Sequence, residues 1–190
     1  HNPSLHSYLR QNWTTLVDRI CLLNPRIIES ALFHSAYEFG NQFMSQIPNF
    51  SPEFLVRGYT ALQNRNLSDA LSNLWIVIEQ LTDYIWEKSF VQNDKFHPQD
   101  MPNRKKFLRD NRTWSISIKQ EMLWQTKFIS DKCYVAISHT RIARNNLVHS
   151  GSIPEIKILE NLWINLFELF RVTSGQELND LKKLTTYINN

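Results

Sequence analysis

Between Leu67 and Ile85 six apolar side chains, Leu67, Leu71, Leu74, Ile78, Leu81 and Ile85, recur at intervals of 4, 3, 4, 3 and 4. A helix turns by about 100° per residue, so this spacing holds all six on one stripe; in a strand they would scatter over both faces. A helix with such a seam must be covered by other helices before it is stable in water. The same three- and four-residue spacing recurs along the chain. Only 4 glycines occur, none paired, and alternating apolar-polar runs are few. The expected fold class is therefore all-α, a bundle with additional N-terminal helices and one long loop, read as a single domain over residues 1–190. With 190 residues, 42% of them hydrophobic, the chain can bury a sizeable core.

Punctuation residues divide the pattern. A first helix is expected from Trp13 to Leu23, stopped by Asn24-Pro25, and a second from there to about Met44. Ser51-Pro52-Glu53 opens a third, ending near Asn64, and the seam helix runs from Asn66–Ser68 to about Lys88. From Val91 to Thr113 the periodicity fails among Pro98, Pro102 and several Asn and Asp residues, which predicts a long connection with one helical turn around Phe107. A connection of that length is usually functional or disordered, so it is a candidate mobile or substrate-touching loop. Helix resumes near Ser117, breaks at Ile129-Ser130, and continues from Asp131 under a Ser130 cap to about Asn146. The next helix starts at Pro154-Glu155 and is apolar nearly all round, fitting the middle of the bundle or, with one stripe, a partner surface. Gly175 caps it, and a short amphipathic helix to Ile188 follows.

No apolar run is long enough to span a membrane and no signal segment opens the chain, so a cytoplasmic protein with no membrane partner is expected. The start at His1 suggests a C-terminal piece of a longer protein. Cys21 and Cys133 both lie in apolar-periodic stretches, which predicts buried free thiols. Charge is uneven. From Arg104 to Arg144 ten basic residues, among them Lys119, Lys127 and Lys132, face only Asp110, Glu121 and Asp131. Such a segment either attracts a polyanion or is a solvated face.

Phosphate-binding glycine loops, the GxSxG elbow, HExxH and paired CxxC motifs are all missing. No metal site and no cofactor are expected. His34 and His139 read as satisfied structural histidines. The segment Thr140–Gly151 is different, because a helix there runs through Arg144-Asn145-Asn146 into His149-Ser150-Gly151. With the helix ending near Asn146, Arg144 falls in its last turn and His149 just beyond, so that their tips can meet. A guanidinium can hold a phosphate oxygen in bidentate fashion, and an imidazole can take or give the proton that cleavage of an RNA phosphodiester needs. Helix capping by the same two residues is the competing explanation.

The run RNNLVHSG resembles the signature of HEPN domains, small all-α modules whose ribonuclease members carry Arg, commonly followed by Asn or another polar residue, with four to six residues between the Arg and a His. The resemblance extends to LWIVIEQL on the seam helix and ENLWINLFELF after the motif, and covers roughly Ser68 to Thr173. It implies a core at about 66–173 with an N-terminal extension at about 4–64, and is similar to modules at the C-terminal end of prokaryotic abortive-infection and anti-phage proteins, including the Apea-like group.

What the resemblance implies is a metal-independent endoribonuclease, the toxic effector of a defence or toxin-antitoxin system. Arg144 would contact the scissile phosphate, His149 would transfer protons, Asn145 would aid positioning, and Glu79 would orient Arg144. Arg141, Arg104, Lys105, Lys106 and Arg109 are candidate RNA-backbone contacts. One Arg and one His make half of the machinery that in-line transfer needs, and HEPN ribonucleases complete it by dimerising. The expected partners are RNA, a second copy docked through the motif helix or the helix after it, and a sensor domain in the same longer chain. The alternatives are a non-catalytic HEPN module that binds RNA or dimerises a larger protein, and a helical scaffold whose cationic segment faces an acidic protein.

Overall fold

The computed structural model describes residues 30–175, and among these every regular element is helical. In chain order they are α1 (Ser30–Gln46), α2 (Pro52–Gln63), α3 (Leu67–Trp86), a π-helical turn (Glu87–Val91), a 3-10 turn (Asp94–Phe96), α4 (Arg104–Leu108), α5 (Ile116–Gln125), α6 (Asp131–Ser150) and α7 (Ile156–Ser174). No described helix is long and apolar enough to cross a membrane. The described residues divide within α1, so that residues 30–39 belong to one compact unit and residues 40–175 to another. In the first unit, α1 exposes Phe33 and Tyr37, one turn apart. The expected helices at Trp13–Leu23 and up to Ile188, and Cys21, lie outside the described residues.

The second unit is built around α3, which packs against α2, α5, α6 and α7. Leu71, Leu74, Ile78, Leu81 and Ile85 of the seam are all buried, and Leu67 at the start of α3 is half-buried. Because Ala70, Trp75, Val77, Thr82 and Trp86 are buried too, α3 is enclosed on more than the seam side. The expectation that the post-motif helix forms the middle of the bundle is therefore corrected. In α7, Leu159, Leu162, Leu166, Leu169 and Phe170 are buried while Ile164 is exposed. Removing any such buried side chain to Ala would cost about 2–5 kcal/mol.

Close approach of α2 to α3 depends on Gly58. A Cβ there would lie 2.7 Å from Leu74 Cδ2 and Cγ and 3.1 Å from the Leu74 backbone nitrogen. Aromatic rings close the rest of this face. Phe43, Phe50 and Phe170 meet edge to face with centroids 5.0–6.0 Å apart, and Tyr59 stacks on Trp163 at 4.5 Å.

The connection predicted over 91–113 holds more structure than its composition suggests. The backbone leaves α3 through a π turn that buries Phe90 and Val91, and α4 is the helical turn expected around Phe107. The segment is also stitched back onto α3. Trp86 Nε1 donates to the Leu108 carbonyl at 2.9 Å, Arg109 forks onto Glu87, and Trp114 lies against Trp86 with centroids 4.8 Å apart. The break before α6 falls at Thr126–Ser130, where Lys127 adopts a left-handed φ of 62°. Ser130 caps α6 as expected, its Oγ accepting from the Cys133 N–H at 3.3 Å.

Candidate functional site

The motif lies on α6, which does not stop at Asn146. It runs to Ser150, and Gly151 ends it with φ 68°, a conformation that costs a residue without a Cβ nothing. The Gly151 N–H donates to the Leu147 carbonyl at 3.0 Å, and Ser150 Oγ to the Asn146 carbonyl at 2.6 Å. Two adjacent Asn residues carry only a small helical penalty, and the capped Gly outweighs it.

This corrects the expected meeting of the Arg144 and His149 tips. Five residues apart on one continuous helix, they are separated by about 140° around the axis and about 7.5 Å along it. Arg144 is half-buried and its Nη1 reaches only Asn145 Oδ1, at 3.4 Å. His149 is exposed on the last turn, where no other described residue bonds its ring. Asn145, one turn before His149, is exposed on the same side. Val135, Ile142 and His149 follow one another at seven-residue spacing, and the first two are 45% and 55% exposed. One face of α6 thus runs from apolar side chains to the histidine.

Glu79 is not joined to Arg144. Its Oε1 accepts a 2.6 Å bond from Trp75 Nε1, one turn earlier on α3, which satisfies the half-buried carboxylate within its own helix. His139 is exposed rather than structurally satisfied, and so is His34. His139 borders a groove of about 280 Å³ with Ile142, Asn146, Ser152 and Glu155, formed where the chain turns from α6 into α7. Sequence reasoning missed this groove, since the turn at Gly151 creates it. Among the described residues no group of three or more His, Cys, Asp or Glu is placed to hold a metal ion.

The cationic segment is less free than its composition implied. Arg109 is held by Glu87, Lys105 lies 3.7 Å from Asp94, and Arg112 pairs with Asp110. The Arg109 guanidinium holds the Glu87 carboxyl below the usual carboxylate range. Lys119 is buried and donates to Asp83 at 2.7 Å and Asn111 at 2.8 Å. Arg104 is half-buried, its guanidinium over the Phe107 ring at 5.3 Å, while Lys106 is exposed. No hydrogen bond or ion pair joins α4 to the end of α6. Arg141, half-buried on α6, contributes to lowering the Glu121 carboxyl, whose larger cause is the hydrogen bond from Tyr134.

Cys133 is a free buried thiol whose Sγ lies 3.7 Å from the Asn165 carbonyl; burial, assisted by Glu168, pushes it up to about 12. Comparison of the chain with family models, with curated proteins and with solved structures returns no match.

Proposed function

We propose that this chain is a metal-independent endoribonuclease of the HEPN type, acting in the cytoplasm as a toxic effector of prokaryotic anti-phage or toxin-antitoxin defence. The observation that carries the reading is the exposure of Asn145 and His149, one turn apart on the final turns of α6, with Arg144 half-buried next to Asn145. Within one chain the cation and the imidazole diverge, so the working form is a two-fold dimer in which two α6 ends face one another across RNA. The exposed stripe of Val135 and Ile142, continuous with His149, supplies apolar surface for that contact.

In this assembly Arg144 binds a non-bridging phosphate oxygen. One His149 takes the proton of the ribose 2'-OH, and the freed oxygen attacks the adjacent phosphorus. As the bond to the 5'-oxygen breaks, His149 of the partner subunit protonates the leaving group. The products are a 2',3'-cyclic phosphate and a 5'-OH. Arg141 offers a further contact to the RNA backbone.

The test is incubation of RNA with the chain in EDTA, wild type against His149→Ala and Arg144→Ala. Wild type is expected to leave cyclic-phosphate ends, and each variant to cut at least about 100-fold more slowly. Equal cleavage by all three removes both residues from the mechanism. Salt-sensitive binding of RNA that stays intact supports the non-catalytic module instead.

A further inference from the structure

A cleft of about 540 Å³ opens between the C-terminal half of α3, the π turn, the 109–119 segment and the chain after α1. Its lining includes Lys88, Arg109 and Lys119 together with Asp83 and Glu87. Each carboxylate is already engaged: Glu87 by the Arg109 guanidinium, Asp83 by the Lys119 ammonium. Donor capacity remains beyond these pairs. Lys119 uses two of its three N–H groups, on Asp83 and Asn111, and Arg109 directs only Nε and Nη2 at Glu87, which leaves Nη1 with both its protons. Lys88 sits over the Tyr84 ring at 5.1 Å and forms no ion pair among the described residues.

Two further observations point to a ligand. Tyr84 lines the cleft, and its hydroxyl is closed to solvent with no partner in the described residues. A buried hydroxyl left so costs about 1–3 kcal/mol, which is recovered if a ligand shifts the side chains covering it and supplies an acceptor. The cleft also lies on a π turn, an interruption that costs regular hydrogen bonding and is frequent at functional sites. The lining also carries the amides of Gln46, Asn49 and Gln80, groups that both donate and accept, with Gln80 Oε1 already accepting from the Ser51 N–H at 3.2 Å.

We infer that this cleft binds a nucleoside monophosphate, its phosphate taken by Lys88, Arg109 and Lys119 and its uncharged part by the amide-bearing wall. The volume suits a molecule of that size and far exceeds a bare anion. The site goes beyond the nuclease reading and stands without it, since none of its residues belongs to the α6 motif.

Isothermal titration of the full chain with AMP, adenosine and inorganic phosphate tests the assignment. AMP is expected to bind saturably, adenosine to bind at least tenfold more weakly, and phosphate to compete only at higher concentration. Lys88→Glu, a surface change, should weaken AMP at least tenfold. Tyr84→Phe should weaken it several-fold while the melting temperature of the free protein stays the same or rises, since the lost hydroxyl had no partner. Absence of saturable AMP binding, equal affinity for AMP and adenosine, equal affinity for AMP and phosphate, or indifference to both substitutions would each overturn it.

Discussion

Lys119 Nζ donates to Asp83 Oδ1 across 2.7 Å, yet only 6% of the Lys119 side chain is exposed against 54% of Asp83's. The two partners therefore carry unequal risk. Asp83→Ala leaves a buried ammonium with one neutral acceptor, Asn111, and is expected to cost about 1–3 kcal/mol. Lys119→Met leaves a carboxylate that simply returns to water, and should change stability by less than about 1 kcal/mol. Urea denaturation of the two variants decides it; equal losses would show that the burial asymmetry has no energetic weight.

Gly58→Ala tests the contact between α2 and α3. Helix propensity alone favours Ala by about 1 kcal/mol, but the new methyl would sit 2.7 Å from two Leu74 side-chain atoms. Overpacking is expected to win, for a net loss of about 1–3 kcal/mol and a lowered melting temperature. A stabilised variant would mean that Leu74 has room to move.

The Glu87–Arg109 pair gives a pH dependence of definite sign. Because the folded carboxyl is held below its ordinary value of 4.5, the stability it contributes is fully present above that value and is lost as pH falls below it. Arg109 is 57% exposed, so solvent screens the pair and its contribution is small. Wild type should exceed Glu87→Gln in stability at neutral pH, with the gap closing as the solution is acidified below 4.5. A gap independent of pH would assign the effect to packing.

Cys133 is predicted to be unreactive in the native state. A thiol raised to about 12 holds almost no thiolate near neutrality, and the side chain is buried. In a Cys21→Ser background, titration with a chromogenic disulfide should give no fast reaction until denaturant is added. Prompt stoichiometric labelling without denaturant would contradict the packing of α6 on α7.

The dimeric reading of the motif predicts dominance. Because the cleft draws one His149 from each subunit, His149→Ala chains mixed with wild type should form hybrid dimers that cut as slowly as the variant alone, so that activity falls more steeply than the wild-type fraction. Ile142→Glu, which leaves the motif untouched, should shift the chain to monomer in sedimentation velocity and abolish cleavage with it. Full activity of a monomeric Ile142→Glu chain would refute the composite site.

Much of the helical framework was legible because its signals are local. The seam of α3, the Ser130 cap and the glycine stops at Gly151 and Gly175 depend on a few neighbouring residues. The error at the end of α6 arose where two local signals compete, the Asn pair against the glycine five residues on, and the stronger stop prevailed. That outcome changed the site, since it moved His149 onto the helix and away from Arg144.

Among the described residues, sequence alone settled most of the helical framework, which stripe α3 must hide and which residues can titrate, for these follow from period, capping and side-chain chemistry. Tertiary packing alone decided which charges are free. Lys119 meets Asp83 from 36 residues away and Arg109 meets Glu87 from 22, so members of a run that reads as open cation are tied to acids lying outside it. Pairing of that kind is set by which helices touch, and no spacing within a segment encodes it. The cleft at α3 exists for the same reason, because its walls come from four stretches of chain that only folding assembles.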